Sequence, residues 1–356
     1  MSRQPRPVRG ATIVGTGMYV PERVLTNFDL EKMVDTSDEW IVERTGIRER
    51  RIAADDEASS DMAVMAARRA LESARLGPED VDQIIVATTT PDRILPSCAC
   101  TVQKKLDARR AAAYDMFAAC TGFVYGLGLA EGLIGSHVAE TILLIGVEKL
   151  SSIVDYTDRN TCVLFGDGAG AAVLRPAPEG EGILAVSMAS DGSMGEVLEV
   201  PAGGSARPMD AEAVLARDHK IHMRGRELFR IAVRAMEDSL RKSLEEAGVG
   251  MDELTLVIPH QANRRILEAM RERIGLPPEK VILNIERYGN TSSASIPISL
   301  DEVVRAGRLK RGDYVAFVAF GGGVTWGAAA MTWTLATQRA TQSGARRHEK
   351  SREAVS

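Results

Sequence analysis

Cys120 sits in Asp115-Met-Phe-Ala-Ala-Cys-Thr-Gly-Phe-Val-Tyr-Gly126, where a run that reads as a strand meets one that reads as a helix. A thiol at a helix N-terminus feels the positive end of the macrodipole and unpaired backbone N–H groups, which lower its pKa and make it a nucleophile. The plain alternative is a buried cysteine that only fills space. His260, in Ile258-Pro-His-Gln-Ala-Asn-Arg-Arg265, follows an apolar run. The C-terminal end of a buried strand is where α/β sheets place working groups. A loop histidine satisfied by a backbone carbonyl would look the same. Asn290, in Tyr288-Gly-Asn-Thr-Ser-Ser-Ala-Ser-Ile-Pro297, reads as a site residue or as a turn and cap. Phe320-Gly-Gly-Gly-Val-Thr-Trp-Gly327 is a tight turn whose N–H groups no side chain blocks. It could hold an oxyanion, or be a hairpin turn and nothing more.

Short apolar strands alternating with longer helical patterns must position these residues. The expected strands are 11–15, 83–88, 111–116, 141–147 and 169–174, then 182–190, 254–259, 281–285, 314–320 and 327–334. Helical spacing marks 60–74, 122–134, 226–247, 264–274 and 296–306. A helix, Leu-Gly-Pro-Glu and a strand over 66–88 are echoed by a helix, Leu-Pro-Pro-Glu-Lys and a strand over 269–284. The pattern is that of a duplicated α/β chain with its seam near Pro176–Gly182. It divides the chain into an extension 1–9, a half 10–178 holding Cys120, a half 179–336 holding His260 and Asn290, and a disordered tail 337–356.

The 356 residues allow two fused units of ordinary size, and 45% hydrophobic with 26% charged residues is a globular composition. A net charge of -5 argues against a nucleic-acid binder. Cys98, Cys100, Cys120 and Cys162 form neither a disulfide framework nor a zinc motif, and His219 and His222 lack thiol or acidic partners. Gly15-Thr-Gly17 and Gly166-Asp-Gly-Ala-Gly170 are not dinucleotide fingerprints, and there is no Walker A lysine. No signal peptide and no run of ~20 apolar residues is evident. The expectation is a reduced, cytoplasmic protein with no metal, cofactor, nucleic acid or membrane partner.

Taken together, Ala118-Ala-Cys120-Thr-Gly-Phe123, Pro259-His260-Gln-Ala-Asn263 and Gly289-Asn290-Thr-Ser-Ser-Ala-Ser-Ile-Pro297 resemble β-ketoacyl-acyl carrier protein synthase III. So do Ser37–Arg50, Thr157–Thr161, Phe165–Ala171 and Phe320–Gly327, in the family's order from about Arg9 to Thr334. The resemblance implies the thiolase fold: duplicated α/β halves in five layers, αβαβα, and a homodimer. It implies an acyltransferase that joins an acyl-CoA starter to malonyl-acyl carrier protein with loss of CO2, initiating fatty acid biosynthesis. Cys120, His260 and Asn290 match the catalytic set, and the N–H groups of Cys120 and Gly322 match the oxyanion hole. Trp40 and Arg159 match the pair that sandwich the CoA adenine, and Arg44 matches a nucleotide contact. Gly225 and Asn263 match contacts along the pantetheine arm. Gln261, Ala262, Asn263, Arg264 and Arg265 are expected to dock the acidic carrier protein. Leu95 and Phe320 are expected in the acyl pocket. Leu95, from the partner chain, stands where the family commonly has phenylalanine, which leaves room for a starter beyond acetyl. Two other readings stay open: a related acyltransferase of secondary metabolism, and an inactive partner subunit, against which the intact Cys120, His260 and Asn290 weigh.

Overall fold

The structure, a computed structural model, describes residues 9–336. The expected tail 337–356, and the extension 1–9 except for its last residue, lie outside the described residues. Two sheets carry the fold. The first has the order β1 (Ala11–Tyr19), β5 (Gly168–Pro176), β4 (Ile142–Glu148), β2 (Gln83–Ala87) and β3 (Ala112–Met116). Its first two pairings are antiparallel and its last two parallel. The second runs β6 (Gly182–Ser190), β9 (Thr325–Thr332), β8 (Tyr314–Gly321) and β7 (Leu254–Pro259), antiparallel, antiparallel, then parallel. Val281 adds a parallel bridge to Val257 beyond β7, in the place that β3 takes in the first sheet. The second sheet thus repeats the first strand by strand.

The expected strand 281–285 shrinks to that single bridge, and the reason is chemical. The Gln261 amide donates to the Ile282 carbonyl at 3.0 Å and accepts from the Asn284 N–H at 3.0 Å, which replaces the ladder a strand would need. The chain then turns helical over Ile285–Tyr288. Elsewhere boundaries move: the first strand runs on to Tyr19 and the last spans Thr325–Thr332. Helices over Asp38–Thr45 and Cys98–Leu106 and the antiparallel pair Val24–Thr26 with Glu49–Arg51 were not expected from the sequence.

Helices α1 (Ser59–Ala74) and α2 (Cys98–Leu106) cover the outer face of the first sheet. Between the sheets lie α3 (Gly122–Gly135) and α6 (Ser295–Arg305). On the far side, α4 (Gly225–Ala247) and α5 (Arg264–Ile274) close the fifth layer. These sequences are helical because their apolar residues recur once per turn: Leu228, Ala232, Met236, Leu240 and Leu244 form the buried stripe of α4. The central layer is the main core, where Phe123 of α3 meets Phe317 of β8 edge to face at 6.3 Å. Burial of each such side chain contributes roughly 1.5–3 kcal/mol.

The halves meet backbone to backbone. Gly170 of β5 faces the first turn of α6, where an added Cβ would lie 2.6 Å from the Ile298 nitrogen. Main chain cannot swing aside as a side chain can. Gly170→Val is therefore expected to cost roughly 3 kcal/mol, at the upper end for overpacking. Urea unfolding measures it, and an unchanged midpoint would mean that this contact yields freely.

Candidate active site

The ends of strands from both halves converge on one buried point. After β3 the chain makes a tight turn at Ala119, with φ of 45°, before Cys120 and the first residues of α3. Cys120 is 7% exposed. The Ser292 hydroxyl, its own N–H and the Gly322 N–H lie beside its sulfur and favour the thiolate. The β8–β9 turn comes this close because residue 321 is glycine: a Cβ there would stand 2.7 Å from the Cys120 nitrogen. The expectation of an acidic thiol at a helix end is corrected here. Burial dominates, and despite these donors it pushes the thiol up to about 11, with the nearby Glu148 carboxylate adding to the rise.

His260 follows β7 and is 1% exposed; burial pushes its imidazole down to about 3, so the ring is neutral at physiological pH. Its Nδ1 lies 2.8 Å from the Ser295 hydroxyl. Ser295 Oγ also lies 2.9 Å from the Ser292 carbonyl, which the Ser295 N–H already serves. The Ser295 hydroxyl thus bridges the imidazole and that carbonyl and fixes the ring's orientation. Asn290 is fixed more firmly. Its Oδ1 accepts from the Ser292 N–H at 2.8 Å, which orients the amide and leaves its NH2 group free to donate. The same bond supports Ser292 at φ of 49°, a strained value for serine.

Cys120 stands where two cavities meet. One, of about 460 Å³, is walled by Phe117, Leu150, Ile153, Phe165, Leu198 and Ile221. The other contains His260, Asn290, Gly225, Asn263, Phe229 and Phe320. Phe320, expected in the acyl pocket, therefore faces the histidine and asparagine side. Leu95 is 85% exposed and lines neither cavity of its own chain.

Toward the surface, two guanidiniums lie over the Trp40 ring, Arg159 at 4.9 Å and Arg44 at 5.4 Å from its centroid. Arg159 already covers the face expected to receive an adenine, so a base could enter only by displacing it. Asn263 caps α5 by accepting from the Arg265 N–H at 2.9 Å and donates to the Arg44 carbonyl at 3.1 Å. Gln261, expected at a docking surface, is 1% exposed and spent on internal hydrogen bonds. It cannot meet a partner. Ala262 is half-buried on the second cavity, whereas Arg264 and Arg265 are exposed, Arg264 bonded to Glu268 at 2.7 Å. Ser292, Ser295 and Glu148 were missed as site residues. Glu148 carried a readable signal: it ends the otherwise apolar run Ile142–Val147, where working groups gather.

Among the described residues no cluster of His, Cys, Asp or Glu could hold a metal ion, and no helix is long and apolar enough to cross a membrane. A buried thiol with two N–H groups beside it and an imidazole and an amide in the same cavity could support acyl transfer through an anionic intermediate. Comparison with known proteins agrees with that chemistry. The models of the 3-oxoacyl-[acyl-carrier-protein] synthase III domain and of its C-terminal domain match residues 114–192 and 244–333. The β-ketoacyl-[acyl-carrier-protein] synthase III of Desulfitobacterium hafniense is 52% identical over 322 residues, covering 90% of this chain and 97% of that one. The crystal structure of 3-oxoacyl-[acyl-carrier-protein] synthase III from Aquifex aeolicus superposes with a TM-score of 0.84 at 51% identity, covering 91% of this chain and all of that one. The priming β-ketosynthase of the R1128 polyketide pathway superposes at 0.88 with 33% identity, covering 95% of this chain and 100% of the other. With half its residues identical to such relatives along nine-tenths of its length, the chain belongs to the β-ketoacyl-acyl carrier protein synthase III family.

Proposed function

We propose that the protein takes an acyl group from acyl-CoA onto Cys120 and condenses it with malonyl-acyl carrier protein, releasing CO2 and a 3-oxoacyl-acyl carrier protein, the opening step of fatty acid biosynthesis in the cytoplasm. The observation that carries this reading is Cys120 lining one cavity with His260 and Asn290, with its own N–H and that of Gly322 beside the sulfur. Transfer from one thioester to another changes little bond energy, so the site needs chiefly to hold the tetrahedral oxyanion, which those N–H groups would do. Loss of CO2 then leaves a thioester enolate. Donors that do not titrate can stabilise it without protonating it. Asn290 is such a donor by nature, and His260 becomes one because burial keeps it neutral. The enolate carbon attacks the acyl-Cys120, and the thiolate leaves. In this reading the Trp40, Arg44 and Arg159 group receives the nucleotide, Gly225 and Asn263 flank the pantetheine arm, and the apolar cavity takes the acyl chain. The reaction as written uses no metal or cofactor.

The two half-reactions separate the roles. His260→Ala and Asn290→Ala should each slow malonyl decarboxylation on the order of a hundredfold, the usual loss for one donor to a developing anion. Acylation, read by mass spectrometry as an adduct on Cys120, should fall far less. Equal losses in both steps, or an adduct on Cys98, Cys100 or Cys162, would overturn the assignment.

Docking of the acidic carrier protein rests in this reading on Arg264 and Arg265 at the start of α5. Arg265 is exposed and has no ion-pair partner among the described residues, whereas Arg264 is tied to Glu268. Arg265→Glu should lower kcat/KM for malonyl-acyl carrier protein about tenfold at low salt, with the gap closing as ionic strength rises. An unchanged salt dependence would reduce Arg265 to a solvated helix face.

A homodimer would cover β3, the open edge of the first sheet, and the apolar residues around it: Ile94 is 88%, Leu95 85% and Phe117 77% exposed. It would also carry Leu95 toward the partner's acyl cavity, which Phe117 borders. Light scattering should give twice the 38.4 kDa chain mass, and Phe117→Asp should shift the protein toward the mass of one chain. A monomeric wild type would exclude this role for the edge.

A further inference from the structure

Cys120 attacks only as a thiolate, and the groups around it leave open where its proton goes. They are its own N–H from the α3 turn, the Gly322 N–H, the Ser292 hydroxyl, His260 past β7 and Glu148 at the end of β4. His260 is too weak a base, held near 3 by burial. Glu148 remains. It is fully buried, and among the described residues no cation pairs with it. Its carboxylate accepts from the hydroxyls of Thr88, Thr89 and Thr90, from the Thr89 N–H, and from Ser292 and Ser293, both at 3.2 Å. Ser292 thus lines the cavity beside Cys120 and donates to the Glu148 carboxylate.

We propose that Glu148, acting through the Ser292 hydroxyl, is the proton acceptor for Cys120. The thiol proton passes to Ser292 Oγ while the Ser292 proton passes to Glu148, leaving a thiolate and a neutral carboxylic acid. Ser292 then donates to the thiolate. When the thiolate has displaced CoA from its thioester, the proton returns along the same path to the CoA sulfur, and Glu148 is again a carboxylate. Acylation is then balanced without water: thiol and acyl-CoA give acyl-Cys120 and free CoA thiol. In the condensing step Cys120 leaves as a thiolate and regains one proton from solvent. Burial favours this use of Glu148, because it disfavours the carboxylate and raises its proton affinity. Passing the proton keeps a single negative charge in the site, which costs less than a buried thiolate beside a carboxylate.

This assignment deepens the acyl-transfer reading, and alkylation of Cys120 by iodoacetamide at fixed neutral pH tests it without any CoA substrate. If Glu148 were only a buried anion, Glu148→Gln would remove a negative charge beside the thiol, and alkylation would speed up. As the proton acceptor, its loss should slow alkylation, and acylation by acyl-CoA should fall about a hundredfold, the usual share of a general base. Malonyl decarboxylation, which needs no thiolate, should fall far less. Ser292→Ala, which breaks the relay and keeps the carboxylate, should reproduce the slowed alkylation and guards against a folding defect in the glutamine variant. Faster or unchanged alkylation in either folded variant overturns the proposal. Slowed alkylation in a protein that acyl-CoA does not acylate would keep the relay and remove the substrate reading instead.

Discussion

Main chain pressed against main chain at the junction of the two halves is the constraint on which the site depends. Gly146 of β4 leaves no room for a Cβ beside the Ser293 carbonyl, and Gly321 leaves none beside the Cys120 nitrogen. Through these contacts the N-terminal ends of α3 and α6 face each other across the molecular centre, one offering Cys120 and the other the turn 290–295. A nucleophile from one half and its donors from the other are thereby held with little play. Small errors of position are expensive in such chemistry, and backbone contacts tolerate fewer of them than side-chain packing does.

Exclusion of water from that junction sets the electrostatics. Cys120, His260 and Glu148 all lie out of solvent, and each is displaced toward its uncharged form. Cys120 and His260 rest uncharged beside the Glu148 carboxylate. In the proposed reaction fixed N–H groups rather than mobile ions or water would meet the charge as it appears, so little reorganisation would be needed at that moment.

The alternation of strand and helix and the places of Cys120, His260 and Asn290 at the ends of elements were legible because each depends on local pattern. Periodicity reports which face of an element is buried, and strand ends report where a sheet can present a side chain. What escaped notice depends on contacts distant in sequence. Gln261 looks like a surface residue beside arginines, yet it replaces a strand's hydrogen bonds at Ile282 and Asn284. The electrostatic character of Cys120 was misread because the helix end is visible in sequence and the depth of burial is not. Glu148 passed unnoticed because its partners come from Thr88–Thr90 and from Ser292 and Ser293, well over a hundred residues further on.

Asn263 has a mechanical meaning beyond its part as a helix cap. Its amide joins the first turn of α5 to the carbonyl of Arg44, so the helix bearing Trp40 and the loop that seats His260 cannot slide past each other while those bonds hold. The span from the surface arginines to the buried sulfur is then fixed by the fold and not by the ligand. In the proposed reaction the fold would therefore act as a ruler. A carrier whose flexible arm matches that span would reach the sulfur while its head is still gripped outside, and a shorter arm would bind at the rim and deliver nothing. Selection by length in this way would leave the chemistry at the centre indifferent to the identity of the head, so that two different carriers could be served in turn through one passage.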